Sequence, residues 1–381
     1  MSAIKQALKP TQHKPVKQLD EITINQIAAG EVIENPASVI KELVENTLDA
    51  AATEITIEIK AGGRQLIRII DNGCGMNKDD ALLSIERHAT SKLRTVEDLN
   101  NIFSLGFRGE AIPSIASISF FTLNTCTHEA GAEATIIEVE GGKLTKHEPS
   151  VRAPGTSIEV RSLFYNVPAR KKFQRSVSAD VGEINKIITA QALSHPKVRF
   201  ELINQGKTTL KADASHDDNF CSAMGTRIRS LLGEAFYHSL TPIEHSESGY
   251  TITGYIGDPL YTRHNRTGQH LFVKQRPIFS SLISSAVTSG YGTALASSRY
   301  PVFVLNIDLP SNELDVNVHP RKREVRFENP QALASCVAHA VQKAMSKHQN
   351  PISQTLPNTD PLPWEMPSIK PSFTPPPPLE H

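Results

Sequence analysis

Several things are missing from this sequence of 381 residues, and each absence narrows what it can be. Net charge is missing: 40 Lys and Arg balance 40 Asp and Glu. Any nucleic-acid binding must therefore come from a local basic face and not from overall charge. Cysteine is sparse, and Cys74, Cys126, Cys221 and Cys336 include no C-x-x-C pair. That argues against a zinc site and a disulfide framework, and it fits a reducing compartment. No run is apolar enough to span a bilayer, and the polar opening MSAIKQALKPTQHK has no signal-peptide core. A cytoplasmic location without a membrane partner is the expectation, nucleoid-associated if the source is bacterial. A complete Walker A loop is missing too. Gly206-Lys207-Thr208 ends like one, but Glu201 stands where the first glycine is needed, which excludes nucleotide binding by that route.

What is present is the composition of a globular protein, 39% hydrophobic and 21% charged. The length exceeds one typical core and predicts two domains with flanking segments. Residues 1–19 read as a flexible arm and 20–212 as a first domain. Residues 213–348 read as a smaller α+β domain, and 349–381 as a Pro-rich extended linker.

The first domain is organised around PASVIKELVENTLDAAA, Pro36 to Ala52. At helical pitch Glu42, Glu45, Asn46 and Asp49 fall on one stripe, while Val39, Ile40, Leu43, Val44 and Leu48 cover the opposite side. Like charges at these spacings repel one another. Such a stripe makes sense against a cation or a polyphosphate–metal complex, and its all-oxygen donors suit Mg²⁺. A solvated acidic face is the bland alternative.

The neighbouring segments weigh against that alternative. Thr53 to Lys60 alternates as a half-buried strand, and Gln65 to Met76 gives a second strand running into Asp71-Asn72-Gly73-Cys74-Gly75. Glycines there let backbone approach a flat ligand, and Asp71 offers an acceptor at the strand end. Lys78 to Lys92 reads as a helix leading into RHATSK, where Thr90, Ser91 and Lys92 could meet phosphate. Ser104 to Ile115 reads as a glycine-containing loop opening a helix, a natural anion site with Arg108 beside it. Strands are expected at Ser117–Thr125, Ala134–Val139, Thr156–Val160 and Val198–Asn204, and a helix at Asp180–Leu193. In the second domain, TITGYIG, HLFVKQRPI and VFVLNIDL read as strands. Helices are expected at AMGTRIRSLLG, from Ser280 to about Leu295, and over 331–347. NVHPRKREVRF, Asn317 to Phe327, packs four basic residues into one short loop.

Taken in order, NQIAAGEV, KELVENTLDA, DNGCGM, RHATSK, GFRGEA, LFYNVPAR and VHPRKREVRF resemble the MutL mismatch-repair branch of the gyrase–chaperone–histidine kinase–MutL ATPase superfamily. The motifs span Asn25 to Phe327. The resemblance implies a two-domain α+β fold. A mixed-sheet α/β-sandwich ATPase domain is followed by a smaller domain like ribosomal protein S5. It also implies a weak, Mg²⁺-dependent ATPase with ATP as the bound nucleotide. Glu42 would be the general base, assisted by Glu45, and Asn46 the Mg²⁺ ligand, with Asp49 beside it. Asp71 would accept the adenine amino group, supported by Thr156, with Gly75 and Met76 also binding the nucleotide. Thr90, Ser91, Lys92 and the lid Gly106, Phe107, Arg108, Gly109, Glu110, Ala111 and Ile112 would close over the phosphates. Lys322 would reach from the second domain to the γ-phosphate.

By the same resemblance, ATP drives homodimerisation into a clamp, while the nucleotide-free chain is monomeric. DNA is expected along a basic groove, for which Arg170, Lys171, Lys172, Arg263, Arg266, Lys274 and Arg276 are the candidates. Further partners would be a mismatch-sensing protein, a downstream endonuclease and a helicase. No endonuclease activity is expected of this chain. The alternatives are an ATP-dependent scaffold with negligible turnover, or a type II topoisomerase-like member of the superfamily. Against the latter, the basic loop lies in VHPRKREVRF and not in a Gln-Thr-Lys motif.

Overall fold

The computed structural model describes residues 29–30, 33–92, 105–106, 109–310, 313–315 and 325–349. The architecture is α+β, as expected, and rests on two mixed sheets. The first sheet contains β1 (Glu54–Lys60), β2 (Leu66–Asp71), β3 (Phe120–Cys126), β4 (Ala134–Glu140), β5 (Lys143–Ser150), β6 (Gly155–Arg161), β7 (Arg199–Asn204) and β8 (Lys207–Ala212). Their order is β5-β4-β3-β6-β2-β1-β7-β8, and β1 runs parallel to β7. Alternation does the sorting. Ile55, Ile57 and Ile59 point from β1 into the core while Glu58 points away. On that outer face Arg68 bridges Glu58 and Glu159, each directly opposite it on a neighbouring strand and at 2.8 Å.

The central helix, Pro36–Asp49, carries proline in its first turn, where no N–H is missed, and the Asn35 side chain caps Ser38 N. Val39, Ile40, Leu43 and Val44 are buried against β2 and the helices Ala111–Ser117 and Val177–Ser194.

The second sheet is assembled from β9 (Leu240–Glu247) and β10 (Tyr250–Gly257), then β12 (Gln269–Val273), β13 (Arg276–Ile278) and β15 (Phe303–Asp308). Their order is β13-β12-β15-β10-β9. A two-residue β11 (Thr262–Arg263) pairs with β14 (Tyr300–Pro301) beside it. The helices Ser281–Tyr291 and Pro330–Gln349 pack on each other, and the latter also lies on β9 and β10. A last ladder joins β16 (Leu314–Asp315) to β17 (Arg326–Phe327), so the two ends of the basic segment are held together.

Some expectations need correction. The helix from Lys78 ends at Leu83, where Ser84 Oγ bonds the Ala81 carbonyl at 2.7 Å, and His88 beyond it has φ 64°. HLFVKQRPI is two strands, because Lys274 and Gln275 both take positive φ (48° and 63°) and turn the chain. Ser117 ends a helix and does not start a strand. The Gly206-Lys207-Thr208 decoy is a hairpin: Gln205 and Gly206 have φ 53° and 76° and connect β7 to β8. Expectations for residues 1–28 and for the tail past 349 lie outside the described residues.

The helix Phe220–Leu232 joins the two sheets. Met224 and Ile228 share a core with Leu193 on one side and Tyr255, Phe272 and Val304 on the other. Arg227, 1% exposed, donates to the carbonyls of Ala192, Pro196, Val198 and Asp213 at 2.7–3.0 Å. Burial draws its pKa down to about 10. Replacing Arg227 by leucine takes a donor from four carbonyls, of which Pro196 O keeps Ser215 N at 2.9 Å, and a buried carbonyl without a donor is costly. A loss of about 3 kcal/mol or more is expected in urea unfolding.

Candidate functional site

The acidic stripe is real, and its repulsion is relieved by cations of the chain itself. Glu45 is buried, at 2% exposed. Lys41 Nζ lies 3.1 Å from Glu45 Oε1 and 3.3 Å from Glu42 Oε1. Burial alone would lower the Lys41 pKa, but these two carboxylates outweigh it and hold the ammonium above its ordinary value. One turn on, Lys92 Nζ sits 2.8 Å from Asn46 Oδ1 and 2.5 Å from Asp49 Oδ2. Asp49 also accepts from Leu105 N at 2.8 Å and Gly106 N at 3.1 Å. The RHATSK segment and the start of the lid are thus both fastened to the stripe.

The lid backbone comes close here. A Cβ placed on Gly106 would stand 3.3 Å from Lys92 Nζ and 3.5 Å from Asn46 Oδ1. Phe107, Arg108 and Lys322 lie outside the described residues. Glu110, Ala111 and Ile112 open the Ala111–Ser117 helix, and Glu110 Oε1 is 3.7 Å from His88 Nδ1. Thr90 and Ser91 are exposed, with Thr90 Oγ1 accepting from Lys92 N.

A second centre lies at the end of β2. Asp71 stands directly opposite Thr156 on β6, and Thr156 opposite Thr125 on β3, so three strands put these groups in one row. Asp71 Oδ1 accepts from Gly73 N at 2.9 Å and Thr156 N at 3.2 Å. Among the described residues nothing donates to its Oδ2. Burial raises the Asp71 pKa, against the pull of those two amides and of Arg152. Thr125 Oγ1 lies 3.1 Å from Thr156 Oγ1 and accepts from Met76 N at 2.9 Å. Gly155 has φ 119°, and a Cβ there would strike the Asp71 carbonyl at 2.2 Å. Gly75 is equally constrained, by the Cys126 carbonyl at 1.9 Å. The loop is moored to the central helix by Cys74 N on the Ala50 carbonyl at 2.9 Å. The donor set suits a nucleotide. A buried carboxylate with one oxygen open can take an exocyclic amine, and the oxygen-rich stripe under a glycine backbone can take Mg²⁺ and phosphates.

Two DNA candidates are corrected. Arg276 is only 6% exposed. It sits on β13, which contacts the Val177–Ser194 helix, and it feels the charges of Glu45, Asp49 and Glu42. Burial lowers its pKa while those carboxylates raise it. A guanidinium so placed neutralises the stripe and is not open to a phosphate backbone. The Arg170 guanidinium is also engaged, bonding the carbonyls of Ile33 (2.7 Å) and Gly30. Lys171 and Lys172 are exposed; Arg263, Arg266 and Lys274 are half-buried. Arg263 stacks on Tyr261, and Arg266 lies over Phe279 and Tyr300. Lys41 and Thr125 were not expected as site residues, and Arg276 was expected on DNA and not beside the acidic stripe. Only Lys41 had a visible signal, its i,i+4 spacing to Glu45.

Comparison with known proteins agrees with this geometry. Residues 33–160 match the family described as histidine kinase-, DNA gyrase B-, and HSP90-like ATPase. Residues 228–346 match DNA mismatch repair protein, C-terminal domain. The DNA mismatch repair protein MutL of Xylella fastidiosa is 44% identical over 350 residues, 91% of this chain and 54% of that protein. The Geobacter sulfurreducens protein of the same name is 43% identical over 331 residues, 87% of this chain and 53% of its own length. The chain therefore spans about half the length of these relatives. Among solved structures, the N-terminal domain of a DNA repair protein aligns with TM-score 0.71 and 25% identity, covering 86% of this chain and 98% of that one. The Aquifex aeolicus MutL ATPase domain complexed with ADP aligns at 0.55 and 27%, covering 73% and 93%.

Proposed function

Since the chain belongs to the MutL family of DNA mismatch repair proteins and carries its ATPase domain, we propose that it is an ATP-gated clamp with slow, Mg²⁺-dependent hydrolysis. The observation that carries this is the Lys92 ammonium held between Asn46 and Asp49 beneath Gly106. A positive group already rests where the stripe's oxygens converge, and it belongs to the same segment as the phosphate-facing Thr90 and Ser91. Asp71 Oδ2 accepts the adenine amine, and the Thr156 hydroxyl supports the base beside it. Asn46 offers the amide oxygen for Mg²⁺, which supplies charge neutralisation to the phosphates when bound. Glu42, free of the metal, orients a water and takes its proton, with Glu45 held behind it by Lys41. Lys322 completes the site from the segment whose ends β16 and β17 pin together.

The swap of Lys92 from carboxylate to phosphate is the switch. Nucleotide pulls it off Asp49, which keeps the Leu105 and Gly106 amides, and dimerisation follows from closure over the phosphates. DNA is held by phosphate contact through Lys171, Lys172, Arg263, Arg266 and Lys274, so binding is salt-sensitive and tolerant of sequence. The mismatch sensor, endonuclease and helicase join the clamp in its closed form.

Sizing chromatography tests the gate. The chain is expected to elute as a monomer alone, as a dimer with a non-hydrolysable ATP analogue and Mg²⁺, and to return to monomer as ATP turns over. A dimer of equal lifetime with ATP and analogue favours the scaffold reading, and no dimer with either removes the clamp.

A further inference from the structure

Edge strand β9 and the Pro330–Gln349 helix bring together four side chains that the nucleotide reading leaves unused. His245 and Glu247 are two positions apart on β9 and so share a face; Cys336 and His339 are three apart on the helix and share a turn. The two elements pack directly on each other. Glu247 Oε2 lies 2.9 Å from His245 Nε2 and 2.9 Å from His339 Nδ1, across 92 positions of sequence. The two imidazoles meet edge to face with centroids 5.3 Å apart. Cys336 Sγ is 3.9 Å from the Glu247 carbonyl. Donor atoms of His245, Glu247 and Cys336 all lie within 4.8 Å of one another.

Ordinary surface histidines paired with a glutamate would be mostly open to water. Here the His245 side chain is 8% exposed and Cys336 is 5% exposed. The cluster therefore has a buried floor of one nitrogen and one sulfur, with Glu247 and His339, 43% and 55% exposed, on its open side, and His339 joined to the other three through Glu247. Two nitrogens, one thiolate and one carboxylate oxygen are the borderline-soft, four-donor set of a closed zinc site. The absence of a C-x-x-C pair does not bear on it, because the ligands come from a strand and a helix far apart in sequence.

We propose that His245, Glu247, Cys336 and His339 form a tetrahedral zinc site that staples the Pro330–Gln349 helix to β9. On binding, the Cys336 thiol gives its proton to solvent as the Zn–S bond forms. Each imidazole carries its remaining proton on the nitrogen facing away from the metal. Glu247 turns one carboxylate oxygen from its two imidazole partners to the ion.

The test uses the untagged full chain without nucleotide, so that the Mg²⁺ site is not counted. Dialysis against zinc followed by metal analysis is expected to give one zinc per chain and a raised unfolding temperature that a chelator reverses. Cobalt(II) in place of zinc is expected to show tetrahedral d–d bands and a thiolate-to-cobalt charge-transfer band. Cys336→Ser should abolish the charge-transfer band, while Cys74→Ser, which removes the exposed thiol, should leave it. His245→Ala and His339→Ala should each weaken zinc by more than the roughly ten- to hundredfold that altering a ligand's own hydrogen-bond partner costs. Zinc that fails to bind at micromolar concentration, or a cobalt–thiolate band surviving in Cys336→Ser, overturns the proposal. Neither outcome touches the ATPase reading, which is measured separately by hydrolysis of ATP.

Discussion

Glu42→Ala is expected to bind ATP as the parent does and to hydrolyse it about 10²- to 10⁴-fold more slowly, the usual contribution of a positioned general base. Two features of the site separate binding from turnover. The proposed adenine end is the Asp71–Thr156–Thr125 row, which Glu42 does not touch. The proposed metal end is Asn46 with Asp49, one and two turns further along the helix. Glu42 itself contacts Lys41, and its side chain is 19% exposed, open enough to reach water yet held in place. Removing it leaves Lys41 with Glu45 at 3.1 Å, so the stripe keeps its internal neutralisation and the fold should not suffer. Single-turnover hydrolysis and equilibrium nucleotide binding, measured on the same preparation, make the comparison. Hydrolysis at the parental rate would assign the proton transfer to another group.

Asp71→Asn should do the reverse. Asparagine keeps an oxygen for the Gly73 and Thr156 amides, but it presents an NH₂ where the adenine amine needs an acceptor. Losing a hydrogen bond to a charged group costs about 1.5–3 kcal/mol, roughly ten- to hundredfold in affinity. The nucleotide-free protein should be no less stable. Burial holds the Asp71 pKa above its ordinary value. The fold thus favours the protonated acid, and whatever stability this group gives is present at low pH and lost as pH rises through the raised pKa. At neutral pH the ionised carboxylate is a cost, which asparagine removes. For the parent protein, nucleotide affinity should fall on acidification as Asp71 gains its proton. It should begin to fall at a higher pH than an unperturbed aspartate would give. Calorimetric titration across that range checks it, and a flat profile with unchanged Asp71→Asn affinity would move adenine recognition elsewhere.

The central stripe also shows where a sequence argument is right in its direction and incomplete in its cause. Crowded carboxylates do demand cations. Lys41 was visible at helical spacing. Lys92 comes from a segment expected to be helical that instead turns at His88, and Arg276 comes from the other sheet. Both are brought in by chain paths that no local pattern encodes. For the same reason Arg276 and Arg170 read as exposed bases: residue type is visible in a sequence, but what surrounds it is not.

The strands divide along a physical line. Those recovered from the sequence, such as β1, β2, β6 and β10, are interior and carry a period-two apolar face because the core demands it. Within the two large sheets, those missed or merged are β5, β8, β9 and β13, the four edges; the two-residue β11, β14, β16 and β17 were missed as well, being too short to show a period. An edge strand is protected by polar side chains, and β5 and β9 each carry a proline as well, so it has little apolar period to detect. The sequence by itself determined the central helix with its two unlike faces, the glycine positions where backbone must pass close, and the family to which these motifs belong. Only the tertiary structure decided which cations meet the acidic stripe, which arginines are buried, and that two histidines, a glutamate and a cysteine converge. Local pattern reports what each segment must bury, whereas a partner from a distant segment is fixed only when the sheets pack.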